Sequence, residues 1–111
     1  MIDGLWTVEF EGVPNFLGGG VVFLFSNHLY GGDSQYFYIG LYDVKDNNVS
    51  ALVQVSSFVP APETVFGTKE RQFSIKLTGI LRDKQINGTA IRPDNPALRI
   101  RVTLTKRSEL P

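Results

Sequence analysis

Residues 36–42 read Tyr36-Phe37-Tyr38-Ile39-Gly40-Leu41-Tyr42, a run of aromatic and branched side chains interrupted by one glycine. Such side chains fit a pleated, half-buried surface, so the run is read as a strand. A glycine inside a strand costs stability unless the strand bends sharply or another backbone comes close, as at the corner of a barrel. Gly79 and Gly88 interrupt two later strand patterns in the same way. These glycines favour a closed barrel over a two-sheet sandwich. Closure also removes the edges that an open sheet must protect.

Toward the N-terminus, residues 5–11 alternate, with Trp6, Val8 and Phe10 on one side and Thr7, Glu9 and Glu11 on the other. The Trp side is the core side, because the other would bury charge. Gly12-Val13-Pro14-Asn15 and Gly18-Gly19-Gly20 read as turn material. Val21-Val22-Phe23-Leu24-Phe25 is then a strand with apolar residues on both faces. Placing Val21, Phe23 and Phe25 in the core leaves Val22 and Leu24 outside, a patch that a second copy of the chain would cover. The alternative cover is intramolecular, by residues 13–17 or by Val65-Phe66. Ser26-Asn27 is a turn, and residues 28–30 form a short third strand.

Toward the C-terminus, Asp43-Val44-Lys45-Asp46-Asn47-Asn48 is a polar hairpin loop, and residues 49–56 alternate as a fifth strand. Pro60, Pro62 and Gly67 punctuate a long connection over residues 59–71, whose Val65-Phe66 is expected to fold back onto the barrel mouth as a plug. Further strands follow through Phe73, Ile75 and Leu77, through Ile86, Gly88 and Ala90, and through Leu98, Ile100, Val102 and Leu104. Pro93, Asn95 and Pro96 mark the last turn. The expectation is one all-β domain over residues 1–111, a closed antiparallel barrel of about eight strands of the lipocalin or calycin kind.

Eleven basic and eleven acidic residues cancel, so no overall field draws the chain to nucleic acid or to an anionic membrane. There is no cysteine and one histidine, His28, which leaves no expected metal site, catalytic group or cofactor. A serine triad would need His28, yet Ser26 and Ser34 stand in ordinary turn sequence. Asp33 reads as a turn cap. The aromatics of residues 36–42 lack the interleaved Lys and Arg of a single-strand nucleic-acid platform. Arg99, Arg101, Lys106 and Arg107 read as a solvated face. With no basic leader or long apolar stretch, the expected location is the cytoplasm, away from the membrane.

Asp3-Gly4-Leu5-Trp6-Thr7-Val8-Glu9-Phe10, then Gly31-Gly32-Asp33-Ser34 with Tyr38 and Gly40 after it, resemble the GrlR-like family, bacterial negative regulators of type III secretion. The likeness covers almost the whole chain, and its most specific element is the Gly-Gly-Asp turn followed by a Tyr-x-Gly strand. The resemblance implies a lipocalin-like barrel, usually a homodimer, that sequesters a DNA-binding transcriptional activator without touching DNA. The family's best-known regulator carries alternating acids on the loop after the Tyr-x-Gly strand. The matching loop here has Asp43, Lys45 and Asp46 and no acidic run. Those three are the candidate partner contacts. The competing reading is a calycin-type binder of a small apolar ligand, in a cavity lined by Trp6, Phe23, Phe25, Tyr38 and Phe73, since a barrel of this size is either filled by side chains or holds one small ligand.

Overall fold

The computed structural model describes residues 2–11, 17–64 and 68–110. Strands form where the alternation predicts them: β1 (Gly4–Glu11), β2 (Leu17–Phe25), β3 (His28–Gly32), β4 (Tyr36–Lys45), β5 (Asn48–Ser57), β6 (Gln72–Arg82), β7 (Gln85–Arg92) and β8 (Asn95–Ser108). Each pairs antiparallel with the next, and β8 returns to β1 to close a barrel of eight strands, consistent with a lipocalin-like arrangement. Among the described residues, no helix is long and apolar enough to cross a membrane.

The three interrupting glycines all point inward and permit close approach of neighbouring strands. A methyl group on Gly40 would lie 2.5 Å from the Leu52 carbonyl oxygen, and one on Gly79 would lie 2.9 Å from that of Asn87. Gly88, directly opposite Gly79, would collide with the Thr78 carbonyl. Any side chain here would push the strands apart and open the ring. The tight β2–β3 connection is equally specific: Ser26 and Asn27 have φ of 49° and 68°, the positive pair that a two-residue hairpin matched to strand twist requires.

Strand β2 departs from the sequence reading in two ways. Gly18-Gly19-Gly20, read as a turn, belongs to the strand and pairs with Phe10, Glu9 and Val8. More consequentially, Val22 and Leu24 are buried, at 3% and 2% exposure, while Val21, Phe23 and Phe25 face outward. The expected dimer contacts are therefore core residues, and two expected cavity residues, Phe23 and Phe25, are exterior. Cross-strand partners share a face, and Val22 stands opposite Trp6 in the ladder, so its parity is set by the tryptophan. The last turn is also shorter than expected, because Asn95 and Pro96 already belong to β8. The segments invoked as intramolecular covers, residues 13–16 and Val65-Phe66, lie outside the described residues.

The largest fully buried side chains are Trp6, Leu24, Ile86 and Val102. The indole N–H of Trp6 donates to the Ile2 carbonyl at 2.9 Å, which satisfies its one polar atom within the core. Trp6→Ala should cost about 3–5 kcal/mol, the usual range for a buried aromatic truncation. A denaturant titration read by circular dichroism measures it as a lowered midpoint.

Candidate functional site

At one end of the barrel the β3–β4 turn is organised by a single carboxylate. Asp33 Oδ1 accepts the backbone N–H groups of Gln35 and Tyr36, each at 2.8 Å, and Oδ2 accepts the hydroxyl of Tyr38. The Gly-Gly-Asp turn and the Tyr-x-Gly strand are thus one hydrogen-bonded unit. The reading of Asp33 as a cap holds, and the capping leaves its carboxylate occupied. Burial, and then the bond to Asp33, push the Tyr38 hydroxyl well above the usual tyrosine range.

The described parts of the β5–β6 connection, residues 58–64 and 68–71, lie across this end as a strap. Pro62 and Thr64 are buried. Gln35 pairs with the backbone of Glu63 in both directions, its Oε1 accepting at 3.0 Å and its Nε2 donating at 3.4 Å. The hydroxyl of Tyr36 donates to the Glu70 carbonyl at 2.8 Å. Arg92, buried on β7, then acts as a clasp: its Nε and Nη2 donate to the two carboxylate oxygens of Asp94 at 3.0 and 2.7 Å, and its Nη1 lies 3.3 Å from Glu70 Oε1. Its guanidinium carbon sits 4.5 Å from the centre of the Phe73 ring, so the cation is also held by an aromatic face. A bond from the Thr68 hydroxyl, followed by that from Arg92, holds the Glu70 carboxyl below its usual value. Sequence reading missed this clasp, because residues 70, 92 and 94 meet only through the β6–β7–β8 meander.

Below the strap lies a cavity of about 90 Å³ bordered by Phe10, Tyr36, Tyr38, Thr64 and Phe73. A second, of about 50 Å³, lies among Val8, Leu29, Val53 and Leu77, and shares Phe10, Tyr38 and Ile75 with the first. Of the five expected cavity residues, Tyr38 and Phe73 therefore line interior space, Trp6 is packed away from it, and Phe23 and Phe25 are outside. Among the described residues, no group of three or more His, Cys, Asp and Glu side chains comes together to hold a metal ion. His28 is exterior, its ring stacked on Tyr30 with centroids 6.1 Å apart and its Nδ1 2.9 Å from the Ser26 carbonyl rather than that residue's hydroxyl.

The exterior divides into two halves. On β2–β5 the outward side chains form three cross-strand rows: Phe23, Tyr30 and Ile39; Phe25, His28, Leu41 and Leu52; and Val21, Gly32 and Phe37. The eight large apolar residues among them are each between 42% and 61% exposed. On β6, β8 and β1 the outward positions instead include Lys76, Arg99, Arg101, Arg107, Glu9 and Glu11, all exposed. Arg101 stands opposite Glu11, and Arg107 donates to the Thr7 hydroxyl at 2.9 Å, so the basic stripe is part of a mixed polar surface. The apolar half had a legible signal that the sequence reading passed over: residues 36–42 are large and apolar at both parities, so one set had to face out.

Asp43 and Lys45 continue the outward row of β4 beyond Leu41, and Asp46 occupies the turn with φ of 58°. Asp43 and Lys45 border an open depression of about 610 Å³ that also touches Ser50, Thr78 and Ile80. The three candidate contacts are therefore together, at one end of the apolar half.

Asp33→Ala should cost about 2–4 kcal/mol, since it uncaps two backbone donors and strands the Tyr38 hydroxyl, and Asp33→Asn should recover part of that loss in the same denaturant titration. The strap should respond to acid. Because the folded Glu70 carboxyl titrates below its usual 4.5, its contribution is complete above that value and is lost as pH falls through the lower, folded one. Glu70 is partly exposed, so screening keeps the share to about 1 kcal/mol or less. Hydrogen-exchange protection at residues 58–64 and 68–71, taken relative to the intrinsic rate at each pH, should therefore fall in acid, and Glu70→Gln should lower it already at neutral pH. On the alkaline side, burial and then the hydroxyl's bond to Asp3 push Tyr42 up to about 12. Its contribution is complete below 10 and fades as pH rises toward 12, so Tyr42→Phe should flatten the alkaline limb of a stability–pH curve.

No protein-family model matches this chain, and no curated protein matches it. The functional reading rests on the geometry and on the residues themselves.

Proposed function

We propose that this protein works through its outer surface as a non-catalytic regulatory protein of the cytoplasm, resembling the GrlR-like negative regulators in binding a DNA-binding transcriptional activator and keeping it from its target. The observation that carries this reading is the contrast between a nearly filled interior and an exterior with one large apolar half. Apolar patches of that extent on a soluble protein mark contact surfaces. A cavity of about 150 Å³ is what one benzene-sized ligand occupies. The two interior spaces, at about 90 and 50 Å³, give a small apolar ligand less support. Of the groups that border the larger one, the Asp33 carboxylate and the Tyr38 hydroxyl are bonded to each other.

In this reading the activator meets the end of the apolar half where Asp43, Lys45 and Asp46 stand, and its basic DNA-binding surface is the part that the acids attract. DNA is not itself a partner, because the outward basic residues are interspersed with acids. The test is capture of a DNA-binding activator from the source cell on immobilised protein, with mass spectrometry of proteins and of extracted small molecules. Wild type should retain an activator. Asp43→Lys combined with Asp46→Lys should weaken that binding at least about tenfold with an unchanged denaturation midpoint. A stoichiometric apolar small molecule with no activator would replace this reading by the ligand-binding one.

A further inference from the structure

We propose that His28 is a proton switch on the apolar half of the exterior: with a neutral imidazole the face accepts the activator, and with an imidazolium it turns the activator away. The inference rests on the reading that this face is the working surface, and it adds the regulation of that same surface.

His28 lies in the middle of an apolar row, with Phe25 directly opposite it on β2 and Leu41 directly opposite it on β4. None of the three rows contains Asp, Glu, Lys or Arg, and His28 is the only histidine of the chain. Histidine is the side chain whose ordinary charge change falls between pH 5 and 8. A partner seated on these rows takes the ring out of water, and a charged ring opposes that step far more than a neutral one. One proton therefore decides whether the row is apolar or charged.

The same proton acts on the neighbouring acid. Asp43 stands two places beyond Leu41 on the same face of β4, which makes it a diagonal neighbour of His28. It is one of the acids that attract the activator's basic surface in the proposed reading. An imidazolium beside it offsets that attraction, so both effects of the proton have the same sign. The other cross-strand neighbours, Phe23 and Ile39, carry no charge. Two further titratable groups stand near. Tyr30 stacks on the ring from its own strand, and Asp3, which borders the same depression as Ser26 and Asn27, spends its carboxylate on the Tyr42 hydroxyl.

The hydrogen bonding also places the proton. Nδ1 is 2.9 Å from the Ser26 carbonyl, which can only accept, so Nδ1 carries a hydrogen and the second proton goes to Nε2. The side chain is exposed, so it exchanges that proton with bulk water until a partner covers the face.

The probe is a fluorescently labelled amphipathic helical peptide of leucine and lysine, which offers an apolar stripe and a basic face and whose lysines stay charged from pH 8 to pH 5. Anisotropy titration with the full chain should give an affinity at least about tenfold weaker at pH 5 than at pH 8. The Glu70 carboxylate keeps its charge at pH 5, so a loosened strap does not account for the loss. His28→Gln should bind at pH 5 as the wild type binds at pH 8, and His28→Lys should bind weakly at both, each with an unchanged circular dichroism spectrum. Should a variant fail to fold, the wild type supplies the reading by calorimetry at pH 6 in two buffers of different ionisation enthalpy, where binding should release protons. The inference is overturned by equal wild-type affinity at the two pH values, by a fall that persists in folded His28→Gln, by binding at pH 6 without proton release, or by a wild type that leaves the peptide unbound at pH 8. An activator retained equally at pH 5 and pH 8 defeats the switch and leaves the functional reading standing, whereas pH-dependent peptide binding with no activator captured does the reverse.

Discussion

Closure of the ladder between β1 and β8 is the constraint on which the rest of the molecule depends. In a closed antiparallel ring, each residue shares its face with its partner on the next strand, so one inward side chain sets the parity of all eight strands. Trp6 fixes Val22, Leu24 fixes Leu29, Gly31 fixes Tyr38, and the sequence of pairs returns through Val102 to Phe10. The inward glycines let the strands approach closely enough for the ring to shut at this diameter.

The closed ring also determines what the interior can do. The interior is occupied by Trp6 and its neighbours and holds two small voids, the larger beneath a strap. The strap is fastened by backbone bonds to Gln35 and Tyr36 and by the buried Arg92. A buried cation is costly unless it is paired, and here Arg92 donates to Asp94 and Glu70 and lies over the face of Phe73. The strap is thus part of the folded domain, although its sequence resembles an ordinary proline-punctuated loop.

The exterior is where the sequence departs from what a solitary barrel requires. Folding alone needs alternation with polar residues outside, as on β8, where Arg99, Arg101 and Thr103 fill that role. Strands β2 and β4 carry aromatic and branched residues at outward positions as well, and the register aligns them into rows. No contribution to the core explains this surplus, because those side chains point away from it. The acids of the β4–β5 turn stand at the end of the same surface.

How much of this was legible in the sequence follows from the period of a strand. Where one parity is apolar and the other polar, as in residues 5–11 and 98–105, alternation by itself identified the strand, its inward face and the burial of Trp6. Residues 21–25 are apolar at both parities, so local pattern was symmetric between two answers, and the wrong face was assigned to Val22, Leu24, Phe23 and Phe25. Chain order likewise gave no sign that Arg92 would reach Glu70, or that Asp33 would join Tyr38 across the turn. An all-β chain whose interrupting glycines favour closure was readable from local pattern, because those properties depend on neighbours two residues apart. Which half of the exterior is apolar followed from the fold alone, because the parity of a strand with two apolar faces is set by its ladder partner and not by its own residues.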